Sequence, residues 1–185
     1  MCIGSRIQTR HREETIKQCL MKSKDNMEQE RHPVENYRRI GHMSKTGIVY
    51  ATKTKHSLKL AEAIGAALNI KPENIDSKPR FVGLDLLFIV GGIYGGESNP
   101  ELVEYVKSID PAAVKAVALV TNCASGRQKQ LSVRRVLEGN GVEVVDEFVC
   151  KGAILFVALR HPDKKDLANA IKFARRVIDA RAELQ

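Results

Sequence analysis

From Thr46 onward, short apolar runs alternate with stretches of helical periodicity, and no other feature constrains the fold as tightly. The apolar runs bounded by turn residues read as strands: Thr46 to Ala51, Asn69 to Ile75, Leu84 to Val90, Ala116 to Thr121 and Val142 to Cys150. Between and after them lie amphipathic segments, Ser57 to Leu68, Pro100 to Ile109, Gln128 to Gly139 and Lys164 to Arg181. Strands that alternate with helices form a parallel sheet, because each crossover supplies a helix to cover one of its faces. The helix starts agree. Asn99 followed by Pro100 reads as an N-cap with proline at the first helical position, and Asp163 with Asp166 opens the last helix in a similar way. In that last helix Leu167, Ala170, Ile171, Ala174, Val177 and Ile178 make one apolar stripe, which is core.

The 185 residues allow one domain with a substantial core, and the first 42 do not belong to it. Residues 1–42 are rich in Arg, Lys, Glu and Gln without sustained hydrophobic periodicity, so they are expected to be disordered. Arg38-Arg39 can be encoded by AGGAGG, a ribosome-binding sequence, three codons ahead of Met43. Translated leader before a natural start at Met43 is therefore one expectation for this stretch, and a genuine flexible tail is the other. No apolar run reaches the roughly 18 to 20 residues of a membrane span, and the N-terminus lacks the apolar stretch of a signal peptide, which points to the cytoplasm. Cys2, Cys19, Cys123 and Cys150 form no CxxC pair and no zinc-like spacing with histidine, so they read as reduced thiols. The net charge of +8 divides into nine basic against six acidic residues before Met43, and 21 against 16 from there on. Along the chain these charges are interleaved, and no aromatic RNA-reading motif accompanies them, which argues against nucleic acid.

A doubly wound sheet binds ligands beyond the carboxyl ends of its strands, where the strand order reverses. The loops to examine are therefore those after Ala51, Val90 and Thr121. The first, Thr52-Lys53-Thr54-Lys55-His56-Ser57, runs straight into a helix. A helix N-terminus leaves backbone N–H groups unpaired and carries about half a positive charge, so a hydroxyl-rich turn there suits a phosphate monoester. The second, Gly91 to Ser98, holds four glycines that permit close backbone approach to a flat ligand, and Tyr94 offers it an aromatic face. The third, Asn122-Cys123-Ala124-Ser125-Gly126-Arg127, is small and polar, with Cys123 read as a filler residue. Related sites are missing: there is no acidic pair after the first strand and no aspartate ending the third, as a receiver domain needs. GxGxxG and GxxxxGK[ST] are also absent from the first turn. No residue reads as a nucleophile or a proton-transfer catalyst.

In order and spacing these loops resemble those of the flavodoxin family over about 140 residues from Met43. The family's first motif is Thr or Ser, any residue, Thr, Gly, Asn, Thr. Thr52, Thr54 and Ser57 match it in kind, while Lys55 and His56 replace Gly and Asn. Gly91-Gly92-Ile93-Tyr94-Gly95 is similar to a shortened form of the second loop, and Glu147 to Gly152 with Arg160 to Asp163 looks like the closing part of small flavodoxin-domain proteins of anaerobic bacteria. The resemblance implies a flavodoxin-like three-layer α/β sandwich: a five-stranded parallel sheet in the order 2-1-3-4-5 with helices on both faces. It also implies FMN held noncovalently for electron transfer. Thr52, Lys53, Thr54, Lys55, His56 and Ser57 would surround the phosphate; Gly92, Ile93, Tyr94 and Gly95, with Asn122, Cys123, Ala124 and Ser125, would surround the ring. Two alternatives share the fold: a flavin-dependent quinone or protoporphyrinogen oxidoreductase, and a flavin-free binding or regulatory module. Lys55 at the glycine position is expected to be strained if the turn is left-handed. A net +5 from Met43 onward, with Lys53, Lys55 and Arg127 near one face, implies a redox partner with an acidic surface.

Overall fold

The computed structural model describes residues 45–152 and 161–183, so the expectations for residues 1–42 and for Arg160 lie outside the described residues. Strand β1 (Thr46–Tyr50) leads into helix α1 (His56–Leu68), then β2 (Glu73–Asn74) and a 3-10 turn (Ile75–Ser77). Strand β3 (Leu86–Tyr94) turns back into the short β4 (Glu97–Ser98), followed by α2 (Pro100–Lys107), β5 (Ala116–Cys123), α3 (Leu131–Gly139), β6 (Glu143–Lys151) and α4 (Lys164–Ala182). Strands lie in the order β2-β1-β3-β5-β6, all parallel, with β4 added antiparallel to the end of β3. Counting the five parallel strands alone, this is the expected order 2-1-3-4-5. The chain leaves β1 for β2 on one side and crosses back to β3 on the other, so the order reverses between β1 and β3.

Two cores, one on each face, explain why the strands read as continuous apolar runs. Alternate residues Leu86, Phe88 and Val90 of β3 meet α1 and α4 through Leu60, Ile64, Ala170, Phe173 and Val177. The intervening Leu87 and Ile89 meet α2 and α3 through Leu102, Val106, Val133 and Leu137. Both faces of β3 and β5 are thus buried, as helix-covered parallel strands must be. Each fully buried Leu, Ile or Phe contributes about 1.5–3 kcal/mol of transfer free energy. The last helix forms as expected, with Asp163 and Asp166 making a reciprocal capping box. Asn99 caps α2 by accepting from the Glu101 N–H.

Three boundaries differ from expectation by three residues or more, each for a local reason. The strand expected over Asn69 to Ile75 shrinks to two residues. Asn69 takes a left-handed conformation as α1 ends, the Ile70 N–H bonds back to Gly65 O, and Pro72 packs over Gly65, where a Cβ would lie 2.5 Å from Ile70 O. Helix α3 begins three residues later than expected, with the Gln128 and Gln130 N–H groups donating to Cys123 Sγ and Glu147 Oε1 ahead of it. Most consequential for the site, β3 continues four residues past Val90, so Gly91 to Tyr94 are strand and not loop.

Candidate functional site

The carboxyl ends of β1, β3 and β5 stand side by side, and the three expected loops meet there. Ala51 N donates to Val90 O at 2.9 Å, and Gly92 pairs with Asn122 across the sheet. Asn122 Nδ2 donates to Ser57 Oγ at 2.8 Å in the buried interior, linking the third loop to the first turn of α1. Gln128 Nε2 donates to Gly96 O at 2.6 Å, linking the third loop to the β3–β4 hairpin.

The turn before α1 is built to leave donors free. Lys55 sits at the N-cap with φ 63° and ψ 3°, the left-handed conformation that the glycine of the resembled motif would adopt without strain. No side chain caps α1, and its first turn has no acidic residue. Thr52 Oγ1 is buried without a hydrogen-bond partner. Thr54 Oγ1 lies 2.9 Å from His56 Nδ1, so Thr54 and Ser57 are already engaged within the protein. Burial, followed by the nearby Lys59 charge, holds the His56 pKa below its ordinary value of 6.5, which favours the neutral ring.

Within the glycine-rich segment, Gly91 and Gly92 are points of close packing inside the protein. A Cβ on Gly91 would lie 2.4 Å from Leu102 Cδ2, and one on Gly92 would lie 2.7 Å from the Tyr94 hydroxyl. Gly91 therefore admits α2, and Gly92 admits the Tyr94 ring. Ile93 is buried opposite Ser98. Positive φ is confined to Gly95 at 58° and Gly96 at 90°, the two-residue hairpin turn that needs it at both positions. Tyr94 lies across toward the first loop, its hydroxyl 3.4 Å from Lys53 N and the Lys53 ammonium 5.6 Å from its ring centroid. Cys123 ends β5 buried, with its sulfur accepting from Gln128 N at 3.3 Å. Ala124 and Ser125 are exposed on the turn beyond it.

Beneath the third loop lies a buried polar cluster that the sequence did not announce. Glu147 Oε1 accepts from Thr121 Oγ1 and from Gln130 N, each at 2.8 Å, and its Oε2 is 3.6 Å from Arg134. Gln130 Nε2 donates to Thr121 Oγ1 at 3.1 Å. The carboxylate thus satisfies the N-terminus of α3 from the neighbouring strand. Glu147 is one of three acids inside the run Val142 to Cys150, and nothing in one dimension singles it out or aligns it with Thr121 or Gln130.

A cavity of 1310 Å³ runs along α2 between Ile75, Phe81, Tyr105 and Val114, and none of its lining residues belongs to the three loops. Volume alone does not mark the site; the convergent donors and the orphaned hydroxyl lie at the strand ends. An FMN-type group fits those residues, with an uncapped helix N-terminus and a buried unpaired hydroxyl for an anion and an open hairpin at Gly95 beside them. Among the described residues no helix is long and apolar enough to cross a membrane.

Fold and loops together define an open doubly wound α/β protein with its ligand end at the topological switch point. No protein-family model matches the chain, and no curated protein does. Solved structures do match. A short-chain flavodoxin associated with a bacterial microcompartment has a TM-score of 0.56 at 17% identity, covering 74% of this chain and 98% of that one. A flavodoxin from the domain Archaea gives 0.52 at 12% identity, covering 74% and 97%. The rubredoxin:oxygen oxidoreductase of Desulfovibrio gigas gives 0.55 at 12% identity, covering 75% of this chain and 37% of that one. This chain has a flavodoxin-like fold, a likeness carried by the backbone and not by sequence identity.

Proposed function

We propose that this protein binds FMN noncovalently at the carboxyl edge of its sheet and acts as an electron carrier. The observation that carries the reading is the buried Thr52 hydroxyl without a partner beside an α1 N-terminus that no side chain caps. An unsatisfied buried hydroxyl costs about 1–3 kcal/mol, which a phosphate oxygen accepting its hydrogen would offset. Thr52 and the amides of Lys53 to Ser57 would hold the phosphate, with Lys53, Lys55 and His56 around it. Tyr94, Gly95, Ala124 and Ser125 would flank the ring, while Gly92, Ile93, Asn122 and Cys123 hold those loops from behind. Bound FMN supplies reversible one- and two-electron transfer, and the chain sets its exposure and electrostatic surroundings. Residues 43–185 would be the working unit, in the cytoplasm, where the buried Cys123 and Cys150 stay as thiols.

The test is an absorption spectrum of the purified protein with and without added FMN, followed by titration with FMN and with riboflavin. A flavin spectrum and much weaker binding of riboflavin are expected. Equal affinities for the two ligands would remove the phosphate site and with it the reading. Catalytic turnover of menaquinone would replace the carrier by a reductase.

A further inference from the structure

Charges that are interleaved along the sequence are gathered in space at one end of the sheet. The described residues contain 20 Lys and Arg against 16 Asp and Glu, an excess of four. Residues 51–57, 94–99, 123–129 and 151–152, at the carboxyl ends of β1, β3, β5 and β6, hold Lys53, Lys55, Arg127, Lys129 and Lys151 against the single acid Glu97. That rim therefore carries the whole excess of four, and the other described residues balance at 15 against 15.

All five rim cations are exposed, and none has an ion-pair partner among the described residues. Elsewhere five of the 15 described cations, Lys107, Lys115, Arg134, Arg176 and Arg181, are paired, so what sets the rim apart is its near lack of acids. The rim is continuous: Lys53 N meets the Tyr94 hydroxyl, Gln128 reaches Gly96, and the Lys151 side chain packs against Gly126, 2.8 Å from where its Cβ would lie. Like charges crowded on one end repel one another, and they draw an oppositely charged partner to that end.

We infer that this rim is the docking surface for an acidic metalloprotein that exchanges one electron with a flavin held in its mouth. The inference rests on the FMN reading above. In the exchange, one electron leaves the reduced flavin and converts the partner's Cu(II) to Cu(I) or Fe(III) to Fe(II), or the reverse.

The full chain loaded with FMN is titrated calorimetrically with an acidic blue-copper protein and with a basic c-type cytochrome, at low and at physiological ionic strength. The acidic protein should bind, and its affinity should fall at least about tenfold as salt rises. The R127E/K129E/K151E variant should lose that binding and gain affinity for the cytochrome. K71E/K172E/R175E changes the total charge equally at exposed positions on α4 and after α1, and should keep the acidic protein's affinity within about twofold of the parent. Equal losses in both variants, binding that ignores salt, or rim-dependent binding of a short duplex DNA in place of the acidic protein would each overturn the inference. Repeating the titration without FMN separates the two readings: failure of FMN to bind, with rim-dependent docking intact, removes the cofactor and leaves the surface.

Discussion

Thr52 and Lys55 mark where the turn before α1 departs from what stability alone would select. Thr52 Oγ1 gains nothing where it lies, so Thr52→Val, nearly the same shape, should leave the urea midpoint unchanged or slightly higher. If a phosphate accepts from that hydroxyl, the same variant should lose about 1.5–3 kcal/mol of FMN affinity and none for riboflavin, measured by fluorescence titration. Lys55 bears the cost of a left-handed conformation in a residue with a Cβ, and Lys55→Gly should stabilise the protein by about 1 kcal/mol in urea unfolding. His56 tests the same site through protons. Its folded pKa lies below 6.5, so the unfolded chain binds the proton more readily, and the His56 contribution to stability is lost as pH falls through that region. A phosphate dianion alongside favours the imidazolium, so adding FMN should raise the His56 pKa followed by NMR, and adding riboflavin should not.

At the scale of elements, the cluster around Glu147 holds α3 to β5 and β6, and through Gln128 it steadies the loop over Gly96. Glu147→Ala would strand the Thr121 hydroxyl and the Gln130 N–H, at a cost of about 1–3 kcal/mol for each in chemical denaturation, while Arg134 keeps Glu138 and Val144 O. Glu147→Gln keeps an acceptor and should cost less, about 1–2 kcal/mol. Helix and strand types were legible in the sequence because periodicities of 3.6 and of continuous apolarity depend only on neighbours along the chain. The exit of β3 was not. Gly91 and Gly92 look like loop residues one at a time, yet the approach of Leu102 and the fold of Tyr94 over the backbone turn them into strand, and both contacts need tertiary structure to exist.

For the whole molecule, the localisation of charge has an electrochemical consequence. A unit charge about 10 Å from the flavin at an effective dielectric of about 20 contributes roughly 1.7 kcal/mol before salt screening. About 1.4 kcal/mol corresponds to 59 mV for one electron. The cationic rim should therefore hold the couple to the anionic reduced flavin above that of a strongly acidic flavodoxin. Potentiometric titration of R127E/K129E/K151E should show it lowered by tens of millivolts, with the difference shrinking as salt is added. No shift at either ionic strength would assign the potential to contacts with the ring.

Taken alone, the sequence determined the layered architecture, the strand order by resemblance, and the first turn as an anion-binding candidate, since each is written in residues close together along the chain. Folding decided which hydroxyl is left over. Thr52, Thr54 and Ser57 are equivalent in a motif, but Asn122, 65 residues beyond Ser57, engages the last of them, and only Thr52 remains buried and unpaired. It also decided where the charge lies, because a parallel sheet brings the ends of β1, β3, β5 and β6 to one edge whatever the distance between them in sequence. Interleaved lysines and arginines thereby become a single rim.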